Sequence, residues 1–485
     1  MPRSRFLRVT GSALVALVAL AALAALAVAA VEVLDVPPRE LARYAERRAE
    51  GHNPWIVRAG GWIARTLREL DRGNIAPIAL AGLTRGARSA APTAPGTGAG
   101  AGIVPVATAA ALEEAIAQAN PGEVITLAPG VYRFAGRPHV EVARPGQAGA
   151  RITVRAEVPG TALLEFDMAE GFRVSAPYWS FENLHIRGAC REQSACEHAF
   201  HVAGKGAGFA ARNNTVVDFN AHFKINGENR HFPDGGAITG NTLVNRSVRE
   251  TDSPVTPIDL VAASGWKISG NVIADFIKGQ GDRISFGAFA KGGAADTIFE
   301  SNVVICEHGL RGLPGQRVGL SVGGGGTEKQ YCRNDNDGNC AVEHFRGAIR
   351  ANLIQSCSDD GIYVNRGEGV AIAHNTLLDT GGIAVRYSRS DATAEGNLID
   401  GLLRARDGAR IRAIDNVGTR ATQLYAGWHP VRALFRDLHA GSLAWSGDPP
   451  RRDGASDPAN DLCGAPRPAR PAHGAIEDFA ACLVN

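Results

Sequence analysis

The chain has 485 residues, 45% hydrophobic and 21% charged, which provides for a sizeable core and excludes wholesale disorder. Lysine and arginine together number 51 against 49 acids, so the net charge of +2 excludes a general polyanion-binding field and argues against nucleic acid as a partner. Glycine is the outlier, 58 residues or about 12% against a usual ~7%, without a collagen period, and so predicts many tight turns.

At the N-terminus, Arg3, Arg5 and Arg8 precede an uncharged Ala/Leu/Val-rich run over residues 9–31. That run reaches the ~20 residues that span a bilayer and exceeds the usual apolar region of a cleaved signal peptide. Residues 1–36 therefore read as a signal-anchor, with a signal peptide as the alternative. The arginines stay in the cytoplasm and the rest is exported to the periplasm or cell surface. The cysteine count, eight, fits export because it permits full pairing in an oxidising space.

Residues 37–85 read as a helical juxtamembrane segment carrying Trp55, Ile56, Trp62 and Ile63, and 86–105 as a flexible linker. Leu112, Ala115, Ile116 and Ala119 lie at helical spacing, so 108–119 is predicted to be an amphipathic helix, stopped by Asn120-Pro121-Gly122. An asparagine followed by branched or apolar residues then recurs at Asn183, Asn214, Asn241, Asn271, Asn302, Asn352, Asn375, Asn397 and Asn416. The spacings are 31, 27, 30, 31, 50, 23, 22 and 19 residues, with the longest gap leaving room for one insertion. Such a period is that of a solenoid. Short β runs at 258–262, 284–290, 318–322, 361–364 and 381–385 precede several of these asparagines, and no helical pattern separates them.

The pattern predicts an all-β chain, a right-handed parallel β-helix over 106–420, with helix 108–119 as its N-terminal cap and 421–485 as a C-terminal cap or tail. Equivalent residues stack between coils, and an asparagine at the inward turn is expected to adopt the left-handed conformation and bond to the next asparagine in a ladder. Short separations predict disulfides Cys190–Cys196, Cys332–Cys340 and Cys463–Cys482. Cys306 and Cys357, at near-equivalent offsets after Asn302 and Asn352, are predicted to pair across coils.

The segment ALEEAIAQANPGEVITLAPGVYRF at 111–134 resembles the opening of secreted β-helix polysaccharide lyases of the chondroitinase B and alginate lyase family, within the pectate-lyase-like superfamily. Asp461-Leu-Cys-Gly-Ala-Pro-Arg-Pro with Gly474-Ala-Ile-Glu477 resembles the closing segment of such proteins. The resemblance implies an acidic polysaccharide as partner and β-elimination as the chemistry. A lysine after a central strand would be the base, an arginine one coil on would neutralise the uronate, and calcium would be held by acids before the lysine. Here the positions five and seven residues before Lys291 are Phe286 and Ile284, and glycines 323–326 stand where the family has its arginine.

The chain has six lysines, and Lys291 is the one that follows a central strand with basic residues on later coils, so Lys291 and Arg366 are the candidate catalytic pair. Arg386 falls near the same column. Gly323 and Gly324 would leave a hollow for a sugar, and Glu307 and Glu343, each followed by a histidine, could face one groove. Asp335, Asp337 and Asn339, between Cys332 and Cys340, form a partial calcium-loop pattern that lacks an oxygen ligand at Arg333. Asp359-Asp360-Gly361 reads as a turn, with inverting hydrolysis as the alternative. His201, His222, His231, His308 and His344 show no nucleophile partner. Three functions follow: a polysaccharide lyase on a uronate-containing glycan, a non-catalytic protein binding an envelope polysaccharide, and a glycoside hydrolase or uronate epimerase.

Overall fold

The computed structural model describes scattered residues between 18 and 33, then residues 35–73, 75–78, 102–324, 326–333, 340–454 and 457–483. Most of the 9–31 run and of the 86–105 linker lies outside the described residues, as do Asp335, Asp337 and Asn339. Among the described residues no helix is long and apolar enough to cross a membrane. The chain divides into two compact units, residues 1–74 with 419–429, and residues 75–418 with 430–485.

The first unit is built on a helical hairpin, Pro38–Ala49 and Pro54–Arg72. Asn53 caps the second helix by accepting from the Trp55 and Ile56 amides, which would otherwise lack partners. Gly60 lets the helices approach, since a Cβ there would lie 2.4 Å from the Ala49 methyl. A buried ion pair, Arg39 Nε to Asp71 Oδ1 at 2.9 Å, ties the open ends together.

The second unit is a parallel β-helix. Its three long sheets have twelve strands (from Ile103–Val106 to Arg410–Ile414), eleven (from Gly130–Ala135 to Val417–Gly418) and ten (from Val140–Val142 to Leu402–Arg406), beside a short three-stranded one that includes His344–Phe345. The long ones are sheets one, two and three below. Every pairing within them is parallel, as the asparagine period requires, consistent with right-handed winding. Helix Ala109–Gln118, capped by Thr108, buries Leu112 and Ile116 at the N-terminal end. The early coils stack phenylalanines inside, with Phe172, Phe200 and Phe223 successive in sheet three. Later coils replace them with Leu320, Ile362 and Ile383.

The ladder runs from Asn214 to Asn416 at the corner between sheets one and two. Each Nδ2 donates to the Oδ1 of the next asparagine at 2.8–3.0 Å. Each also donates to a carbonyl of the preceding coil, as Asn241 does to Ala211, so buried amides are satisfied inside an apolar core. Two details differ from the expectation. The left-handed residue is the one before each ladder asparagine, for example Asn213, Ser301, Ala351 and Asp415, which turns the chain so that the asparagine itself points inward. Asn183 occupies that preceding position, with φ 63°, and bonds to Asn213, while Leu184 stands in the ladder column.

All four expected disulfides form, with Cα separations of 5.6, 4.8, 5.7 and 4.7 Å, and no described cysteine is free. They fit an oxidising space outside the cytosol. Apolar residues after the last coil cover the outer face of the later strands of sheet two. Leu438, Leu443, Ile476 and Phe479 pack there on Val303, Ile305, Leu353 and Leu378. Residues 75–78 cross the same face, where the Ile78 amide donates to Gln355 Oε1 at 3.1 Å.

Candidate functional site

The outer face of sheet two is covered along its later strands, and its early strands carry ion pairs such as Arg187–Glu165. Sheet one presents same-face ion pairs such as Arg212–Glu182 at 3.0 Å and Arg350–Glu300 at 2.7 Å, an ordinary solvated surface. Sheet three differs. Its central outward row reads Glu141, Arg173, His201, Lys224, Asp259, Phe289, Ser321, Tyr363, Ala384 and Arg404, one residue per coil. A second row two residues on reads Ala203, Asn226, Val261 and Lys291, then Gly323, Asn365, Arg386 and Arg406.

The early coils carry a closed polar network. His201 faces Glu170 through Nδ1 at 2.7 Å and the Asn226 Oδ1 through Nε2 at 2.7 Å. Arg173 donates to both Glu228 oxygens at 2.9 Å, and Lys224 to Asp259 at 2.8 Å. Burial raises the Glu170 carboxyl, but the His201 hydrogen bond and neighbouring positive charge outweigh it and hold the group below its ordinary range. Burial, reinforced by His201 and Lys224, pushes His198 down to about 4, so it is neutral at pH 7. The sequence signalled only His201, because its partners come from neighbouring coils.

The later coils carry the basic and aromatic part. Lys291 ends strand Ile284–Lys291, and its Nζ stands 4.7 Å from the centre of the Phe289 ring. Gly323 has φ 75°, and a Cβ there would lie 1.9 Å from the Asn365 carbonyl oxygen, so the backbone demands glycine. Gly324 has another use: a Cβ there would lie 2.9 Å from Lys291 Cδ. The space beside Gly324 therefore holds the lysine stem. Tyr363 lies on the adjacent coil to Ser321, and the Asn365 amide donates to its hydroxyl at 3.3 Å. Burial pushes the Tyr363 phenol up to about 12, so the hydroxyl keeps its proton at neutral pH.

Lys291 and Arg386 share the second row. Arg366 follows it by one residue, two coils beyond Lys291, hence about 10 Å away at the Cα. The Arg366 and Arg386 guanidinium carbons stand 5.8 and 4.9 Å from the centre of the Tyr387 ring. Asp407 pairs with Arg386 and raises its pKa. Arg333, which follows Gly323 by ten residues, lies beside the Lys291 turn: its amide donates to the Gly292 carbonyl at 2.9 Å, and its side chain pairs with Asp234 at 2.6 Å.

Glu307 and Glu343 are not brought together. Glu307 is buried just after strand Val303–Ile305 of sheet two, 3.6 Å from Arg317. Glu343 is buried just before His344–Phe345, after the sheet-three strand, where it accepts from the Gly292 amide at 2.9 Å and the Thr327 hydroxyl at 2.6 Å. Both hold backbone turns. Burial pushes His344 down to about 3, and its Nε2 meets Thr297 Oγ1 at 2.9 Å.

Among the described residues no cluster of three His, Cys, Asp or Glu side chains could hold a metal. Ile284 and Phe286 supply no oxygen where the resembling family has acids; Phe286 instead packs near Phe289, ring centres 5.7 Å apart.

Three parallel sheets wound about an asparagine ladder define the chain as a parallel β-helix of the architecture found in polysaccharide lyases. Among solved structures it is similar to the pectate lyase Pel9A, with TM-score 0.50 and 14% identity over 79% of this chain and 98% of that one. It is also similar to a rhamnogalacturonan lyase (TM-score 0.42, 13% identity, 64% and 81% covered). A third is the A-module of the Azotobacter vinelandii mannuronan C-5 epimerase AlgE6 (0.38, 14%, 64% and 90%). At such identity the first likeness is one of fold, and the chemistry rests on this chain's residues. By sequence, neither a family model nor a curated protein matches it.

Proposed function

We propose that this is an exported, membrane-held polysaccharide lyase that cleaves a uronate-containing glycan by β-elimination on the outer face of sheet three. One observation carries the reading: on consecutive coils the register sets Phe289, Ser321 and Tyr363 beside Lys291, Gly323, Asn365 and Arg386. A lysine, a protonated phenol and arginines are the groups this reaction needs, and they stand within a few coils of one another over the buried Phe289 and Ser321.

In the proposed reaction Arg366 and Arg386 bind the uronate carboxylate, which acidifies the neighbouring C5–H. Lys291, as the base, removes that proton, and the electron pair forms the C4–C5 double bond as the C4–O4 bond breaks. Tyr363 gives its proton to the departing O4 and recovers one from water, and Lys291 passes its proton to solvent. The test is the ultraviolet absorbance of unsaturated product from a panel of acidic polysaccharides. New reducing ends without that absorbance point to a hydrolase, and binding without turnover to a polysaccharide-binding protein.

A further inference from the structure

Helix Pro54–Arg72 turns one face to its hairpin partner through Gly60 and Ala64 and another to solvent. The solvent face holds Trp55, Ile56, Trp62 and Ile63, with the two tryptophans 75% and 63% exposed. Tryptophans at i and i+7, with isoleucines beside each, form one continuous apolar stripe. Leaving two indoles in water is unfavourable, and contiguous exposed apolar surface marks a contact site. The border is basic: Arg58 stands 4.9 Å from the centre of the Trp55 ring, and Arg65, exposed, follows one heptad on.

We propose that the Trp55/Trp62 face lies in the headgroup layer of a lipid bilayer, its apolar side chains among the upper acyl chains and Arg58 and Arg65 against anionic phosphates. Two features favour lipid over a protein partner. Indoles flanked by arginines suit the membrane–water interface, where a ring is half solvated and a guanidinium meets phosphate. The uncharged run 9–31 ends shortly before the hairpin in sequence, so the same end of the chain is the one expected at a membrane. Arg58, Arg65, Arg68 and Arg72 make the helix too polar to span, so it lies along the surface. The inference rests on the membrane-held part of the proposed function and is independent of the glycan chemistry.

The test uses the full chain with vesicles of phosphatidylcholine and phosphatidylglycerol, with and without bromine on the acyl chains. Trp55 and Trp62 are two of six tryptophans, so bromolipid should quench about a third of the emission. The Trp55→Phe/Trp62→Phe variant, altered only at exposed positions, should lose that component while its circular dichroism is unchanged. Equal quenching in both proteins, on vesicles with which both sediment, overturns the inference and leaves the anchor intact. Failure to sediment with vesicles overturns both. Protection of the two indoles from aqueous iodide without bromolipid quenching identifies a protein cover, including a second copy, and also overturns it.

Discussion

Lys291 and Gly324 are made for each other: the lysine stem runs past the glycine so closely that a single methyl would meet its Cδ at 2.9 Å. The contact fixes how the ammonium is presented over the Phe289 ring. Gly324→Ala should therefore displace the lysine and lower turnover at least tenfold, with a stability loss below about 1 kcal/mol because a flexible stem can move. Gly323→Ala should instead destabilise the fold by about 2 kcal/mol or more, since its φ is positive and the atom it meets is backbone. Urea unfolding beside initial-rate measurements separates the two.

Tyr363 supplies the second test of the proposed chemistry. Tyr363→Phe keeps the ring and removes the proton. The expected result is a fall in kcat of about 100-fold with KM little changed, the pattern of a group acting only in the transition state.

The ladder makes a stability prediction. Asn271 Nδ2 donates to Asn302 Oδ1 at 2.9 Å and to the Ile238 carbonyl at 2.9 Å in a fully buried setting. Asn271→Ala strands polar groups on both neighbouring coils and should cost about 2–4 kcal/mol by denaturant titration. Asn183→Gly should be nearly neutral, because that residue serves the left-handed turn and not the buried column.

Acid should weaken the fold through its buried histidines. Burial holds His222 at about 4 and His344 at about 3, against 6.5 when unfolded. Between 6.5 and those folded values the unfolded chain binds more protons, so stability is complete above 6.5 and falls as pH drops. The slope is up to about 1.4 kcal/mol per pH unit for each histidine. Thermal melts at pH 7.5, 6 and 5 should show a falling Tm, and His344→Asn should flatten the trend.

The coil architecture was legible because one residue type does one job at one corner, so the asparagines announce the period. Asn183 shows the limit: an asparagine in the left-handed position and one in the ladder look alike in sequence, and only the register separates them. The site was less legible. Lys291 and Arg386 could be placed on a column by counting from strand ends, but loops of unequal length lie between the sheet-three strands. Lys224 and Asp259 are neighbours despite 35 intervening steps of sequence, and Ser321 and Tyr363 despite 42. Glu170 beside His201, and Tyr363 beside Asn365, therefore left no local signal. Glu307 and Glu343 looked like groove acids because each precedes a histidine, whereas their burial commits them to backbone amides.

The most direct test of the account compares the wild-type chain with Lys291→Ala on uronate-containing polysaccharides, following unsaturated product by ultraviolet absorbance and glycan retention by affinity electrophoresis. The account predicts product from the wild type, a loss of at least ~100-fold in the variant, and retention and Tm nearly unchanged. Equal product from both proteins would contradict it by removing Lys291 from the reaction, and no unsaturated product from any uronate glycan would contradict the lyase reading itself.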